Sequence, residues 1–139
     1  MFSPVSARSA SAYKRASVEA SVEMADPHQL VNLLFEALLR SIGSAKLAVM
    51  SGDVPAKCKH IGDAIRILEE GLKAPLDIEK GGELASNLDS LYAYCAARLV
   101  FANLKSDSAV LDEVAALVAQ VASGWRQING RGPAYLQPV

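Results

Sequence analysis

Cysteine, histidine and tryptophan are scarce in this 139-residue chain, at two, two and one. Two cysteines cannot build the multi-bridge framework that staples a small secreted domain, so reduced thiols and a cytoplasmic setting are expected. Cys58 and Cys95 each fall at an apolar position of a predicted helix, which suits buried thiols. The histidines, His28 and His60, form neither an H-x-x-x-H pair nor a Cys/His pair of metal-ligand spacing, and both read as solvated. An excess of either charge is also missing. With a formal net charge of -1 and no run of like charge, the chain has no electrostatic pull on nucleic acid or anionic lipid. Long apolar runs are missing too: Glu, Arg, Lys or Gly interrupts each one before the roughly 18–20 residues of a membrane span, so no membrane insertion is expected.

The usual marks of catalysis are likewise lacking. In the Gly81-Gly82 pair the lysine precedes the glycines, and no G-x-x-x-x-G-K-S/T phosphate loop follows, so the pair reads as a helix break. Glu69, Glu70, Asp77, Glu79 and Glu83 are scattered carboxylates without a companion histidine. Lys57, Lys59, Arg66 and Lys73 share one segment but lack the interleaved aromatics of a nucleic-acid surface. No enzyme and no cofactor is read from these residues.

What the sequence does contain is helical periodicity. The first 18 residues hold Arg8, Lys14 and Arg15, no acid, and many Ser and Ala, a composition that resembles a transit peptide and reads more simply as a flexible leader. Asp26, Pro27 and Gln29 then spell a capped helix start, and that helix runs to about Ser51, where Gly52 ends it. Asp53 caps a second helix with Pro55 in its first turn, and Cys58, Ile61, Ile65, Leu68 and Leu72 form its stripe until Pro75 stops it. A third helix is predicted over about 82–105, on Leu84, Leu88, Leu91, Cys95 and Leu99. Asp107 caps a fourth, carrying Val110, Val114, Leu117, Val121 and Ile128 with Leu111, Val118 and Trp125 beside them, until Asn129-Gly130 closes it. No segment alternates with period two for long enough to be a strand. The expected fold is all-α, an antiparallel up-down four-helix bundle over 26–128, with a flexible N-terminal capping segment over 1–25 and a C-terminal tail over 129–139.

The third helix carries more apolar residues than one core face needs. Stepping about 100° per residue puts Leu84, Leu88, Leu91, Tyr92, Cys95, Leu99 and Ala102 on one arc. Tyr94, Ala97, Phe101 and Leu104 fall on the opposite side at spacings of three, four and three. Leu33, Leu39, Leu47 and Met50 lie off the main face of the first helix, and Ile67 lies off that of the second. Three explanations stay open: a central helix buried all round, a groove for an amphipathic partner helix, or a homodimerisation seam.

The stretch L-D-I-E-K-G-G-E-L-A-S-N-L-D-S-L-Y-A-Y, residues 76–94, resembles the flagellar secretion chaperones of the FliS family. Agreement extends to Tyr13, to the D-P-x-x-L of Asp26, Pro27 and Leu30, to the A-N-x-x-x-D of Ala102, Asn103 and Asp107, and to Trp125, covering about 13–128. The family usually has M-L-Y-D-G in the first helix; here Leu33 to Ala37 read L-L-F-E-A, so Phe35 keeps the ring without the hydroxyl and Glu36 keeps the charge. Pro75 is an unusual end to the second helix. The resemblance implies a cytoplasmic bacterial chaperone that binds the C-terminal segment of flagellin, prevents premature polymerisation and presents it to the flagellar type III export gate, using no ATP and no cofactor. It implies a monomer when free and a bundle that the N-terminal segment can cap. The expected flagellin-binding residues are then Tyr94, Ala97, Phe101, Leu104, Ile67 and Leu33, with Asn87 and Asn103 either bonding partner backbone or capping within the chain. Tyr13 and Val18 are expected in the N-terminal cap or at the export gate. The competing expectation is a helical-bundle homodimerisation module.

Overall fold

In the computed structural model, residues 26–128 are described, and among them all regular structure is helical. The N-terminal segment, with Tyr13 and Val18, and the C-terminal tail lie outside the described residues. Helix α1 spans Pro27–Ser51. The capping box forms: the Gln29 backbone N–H donates to Asp26 Oδ1 at 2.7 Å, and the Asp26 N–H donates to Gln29 Oε1 at 3.3 Å. Gly52 ends the helix at φ 72°, a left-handed position that glycine takes without strain. Asp53 accepts the N–H of Ala56 at 3.1 Å and opens α2, Val54–Arg66.

Helix α2 continues as a π-helical segment, Ile67–Lys73, whose wider turn closes with the Ala74 N–H on the Glu69 carbonyl at 3.0 Å. A π turn rotates less per residue than an α turn, so Ile67, Leu68, Gly71 and Leu72 all face the core. Ile67 was expected off the packed stripe; it is instead 1% exposed, because the stripe was drawn with α periodicity through a segment that does not have it. Gly71 permits close approach, since a Cβ there would lie 3.3 Å from both methyls of Leu34.

The third helix, α3, spans Ile78–Lys105 and is capped by Asp77, which accepts the Lys80 N–H at 3.1 Å. Gly82, at φ 56° and ψ -133°, interrupts it, separating one initial turn from the long helix predicted from about 82. Leu84, expected in the core, is 53% exposed just beyond this break, and Ala85 takes the inward position. The buried arc of α3 runs through Ala85, Tyr92, Cys95, Ala96, Leu99 and Ala102. It is turned toward the side of Asp89, which pairs with Lys73 of the π-helical segment at 3.4 Å. Helix α4, Ser108–Arg126, starts at Asp107, whose carboxylate accepts the N–H groups of Ala109 and Val110.

Four helices form a bundle in which α1 packs on α2 and α4, and α3 packs on α4 and on α2 with its π-helical continuation. Opposite ends of α1 and α4 meet. His28 stacks on Trp125 with ring centroids 4.9 Å apart, while Lys46 pairs with Asp112 at 2.8 Å. His28 is thus not simply solvated. Its Nε2 donates to the Trp125 carbonyl and the Trp125 indole N–H donates to the His28 carbonyl, each at 3.0 Å. Helices α2 and α3 also run oppositely, since Lys57 near the start of one reaches Asn103 and Ser106 at the end of the other.

The core holds Leu34, Phe35, Leu38, Ile61, Ile67, Leu68, Leu99, Leu111 and Val114, each fully buried and worth roughly 1.5–3 kcal/mol in apolar transfer. Phe35 is among them, so the ring that lacks the family's hydroxyl sits in a dry interior where a phenol would need a partner. Cys95 is buried as expected, and desolvation, followed by the charge of Glu113, pushes its thiol up to about 11. Cys58 is exposed, contrary to expectation; the inward position one residue earlier belongs to Lys57.

Candidate partner-binding face

The second apolar row of α3 faces water. Tyr94 is 45% exposed, Phe101 38% and Leu104 79%, with Ala97 exposed between them and Val100 alongside. The helix is therefore not buried all round: Tyr92, Cys95, Leu99 and Ala102 are packed inward, and the opposite row has nothing of this chain's described residues over it. Asn87, seven residues before Tyr94, shares that side of the helix and is exposed.

Charged residues from α3 and α4 hold the aromatic part of the row. Tyr94 Oη donates to Glu113 Oε2 at 2.6 Å, and Arg98 Nε donates to Glu113 Oε1 at 3.0 Å. The Arg98 guanidinium carbon lies 5.0 Å from the centroid of the Phe101 ring, in cation–π contact. One carboxylate thus fixes both aromatics, one directly and one through arginine. The hydrogen bonds from Tyr94 and then Arg98 lower the Glu113 carboxyl below its ordinary range, and the bond to Glu113 raises the Tyr94 phenol. Periodicity did not single out Arg98 or Glu113. Arg98 lies four residues after Tyr94 and three before Phe101, a spacing that was legible; Glu113 depends on the register of α4 against α3, which was not.

The remaining expected site residues scatter. Leu33 is half-buried at the edge of the core, and Ile67 is inside it. Asn103 is half-buried and engaged within the chain: its carbonyl accepts Lys57 Nζ at 2.9 Å, and its Oδ1 accepts the Cys58 thiol at 3.6 Å. Leu47, Met50 and Val54 add exposed apolar surface around the α1–α2 turn. Among the described residues, no group of His, Cys, Asp or Glu is placed to hold a metal ion, and no helix is long and apolar enough to cross a membrane.

Comparison with known proteins gives one consistent result. Residues 9–132 match a family model described as "Flagellar protein FliS". The chain is similar to the flagellar secretion chaperone FliS of Salmonella typhimurium, at 45% identity over 118 residues, covering 85% of this chain and 87% of that protein. It is similar to the flagellar secretion chaperone FliSB of Pseudomonas aeruginosa, at 47% over 117 residues, covering 84% and 92%. The similarity reaches the FliS of Bacillus subtilis at 30% over 107 residues, covering 77% and 78%.

Proposed function

Because the chain belongs to the FliS family of flagellar secretion chaperones, we propose that it binds the C-terminal segment of flagellin through the exposed face of α3. In doing so it prevents premature polymerisation and delivers flagellin to the flagellar type III export gate. The work is that of a non-enzymatic chaperone in the bacterial cytosol. The observation that carries this reading is the row Tyr94, Ala97, Phe101 and Leu104, large apolar groups left in water on a helix whose other side is already packed. A flagellin terminus that is unstructured when free needs such a surface to bury its own apolar positions as a helix. Ordering it costs entropy, so the footprint must reach on the order of 1,000 Å². One helical row is too small for that, and Asn87 and the edge residue Leu33 extend it, whereas buried Ile67 drops out of the surface. Tyr13 and Val18 are assigned to a cap over this face or to the export-gate contact.

Calorimetry with the C-terminal segment of the host's flagellin tests the reading. Phe101→Asp should weaken binding about tenfold or more with the fold intact, because it charges the face and not the core. Leu99→Asp should unfold the bundle, since its charge would be buried without a partner. A Phe101→Asp protein that binds normally, or melts as badly as Leu99→Asp, refutes the assignment. Light scattering should find a monomer that forms a one-to-one complex; a free dimer that Phe101→Asp dissociates would favour the homodimerisation module.

A further inference from the structure

We propose that Glu113 is the positioning residue of the α3 face: from the neighbouring helix it fixes Tyr94 directly and Phe101 through Arg98, so that the face meets its partner already ordered. This rests on the reading of α3 as the binding face, and deepens it by naming a residue that does its work from α4.

The geometry supports a single clamp. Both carboxylate oxygens are used, one by the Tyr94 hydroxyl at 2.6 Å and the other by Arg98 Nε at 3.0 Å. With its Nε held there, the Arg98 guanidinium lies over Phe101 at 5.0 Å. An exposed tyrosine or phenylalanine is otherwise free to change rotamer, and each side chain that must be frozen on binding adds to the entropic cost of association. A face ordered beforehand avoids that cost. Helix α3 alone cannot supply this order, because Tyr94, Arg98 and Phe101 have no acid among them; the acid comes from α4. Glu113 therefore also ties the presentation of the face to the packing of α3 on α4.

The test uses the full chain with Glu113→Ala, Glu113→Gln, Tyr94→Phe and the Glu113→Ala/Tyr94→Phe double variant. In the free protein, the Tyr94 and Phe101 ring signals in NMR spectra should move toward averaged positions in Glu113→Ala, while the indole signal of Trp125, clasped to His28, stays in place. Calorimetry with the flagellin C-terminal segment should show Glu113→Ala binding about three- to tenfold more weakly. Glu113→Gln, whose amide oxygen still accepts the Tyr94 hydroxyl, should recover much of the loss. The double variant should be no weaker than Glu113→Ala alone, as expected of groups acting as one unit. Unchanged ring signals in Glu113→Ala, or losses from the two single variants that simply multiply, would overturn the proposal. If the wild-type chain fails to bind the segment, the proposed function falls, and the ring signals of the free protein still decide whether Glu113 positions the face.

Discussion

Lys57 offers the sharpest test of how the binding helix is held. It is 7% exposed near the start of α2, and its ammonium donates to the Asn103 carbonyl and to Ser106 Oγ, both at 2.9 Å. These groups sit at the end of α3, where the last carbonyls lack helical partners and Ser106 takes a left-handed φ of 50° that a non-glycine residue adopts only under strain. Lys57→Met keeps the length and most of the bulk of the stem while removing the charge. The Asn103 carbonyl would lose its bond to the ammonium, at about 1–3 kcal/mol, and the helix end would lose a favourable cation, at about 0.3–1 kcal/mol. Against this, methionine avoids dehydrating an ammonium, which offsets part of the loss. The net expectation is a destabilisation of about 1–3 kcal/mol, read as a fall in Tm of about 5–20 °C for a domain of this size. Circular dichroism melts give the magnitude. Hydrogen exchange gives the location, because the amides over 102–107 should lose protection first. Ser106→Ala removes only one acceptor and should cost less. A Lys57→Met protein as stable as wild type, or more so, would show that dehydration of the ammonium outweighs its bonds and that the cap does not hold the end of α3.

Thiol chemistry should separate the cysteines: at pH 8 a disulfide reagent such as DTNB should modify exposed Cys58 promptly, while Cys95, buried and with its thiol pushed up to about 11, reacts only on unfolding. Two fast thiols in the native protein would contradict the packing of α3. For pH, the Glu113 carboxyl is lowered in the folded state, so its contribution to stability is fully present above the unfolded value of roughly 4.3 and is lost as pH falls through the folded value. The acid limb of the stability curve should therefore be shallower in Glu113→Gln, and identical limbs would argue against the Tyr94–Glu113–Arg98 cluster in solution. Deleting residues 1–18 should raise affinity for the flagellin segment and promote self-association of the free chain, if the segment around Tyr13 competes for the α3 face; calorimetry and light scattering showing neither change would leave the leader as a spacer or a gate contact.

The elements that could be read from the sequence were those whose cause is local. Asp26, Gly52, Asp53 and Asp107 end or begin helices through bonds to residues a few positions away, and each cap forms as expected. The outer row of α3 was legible because a spacing of three and four fixes a side of a helix before any neighbour is known. The features that eluded the sequence depend on a neighbour. The patterns Cys58-Ile61-Ile65-Leu68 and Lys57-Ile61-Ala64-Leu68 are both helical; hydrophobicity favours the first, and the open end of α3 selects the second. Ile67 turns inward because of a change of helical pitch that α periodicity does not describe. His28 meets Trp125 across 97 residues, and Glu113 meets Tyr94 across 19, distances over which composition says nothing about register.

The π-helical segment also sets how the chain tolerates changes in length. A π turn is an α turn carrying a surplus residue, so the interval Ile67–Lys73 is where one residue can be removed with the helix still reaching Ala74 and the Asp77 cap. Such a deletion would tighten the segment to α geometry and wind everything downstream of it by about 100° relative to α2. The Lys73–Asp89 pair would part, and the glycine that admits Leu34 would leave its contact. A one-residue deletion at the same depth in α4, which has no surplus, should be more damaging, because the slip there has no widened turn to absorb it.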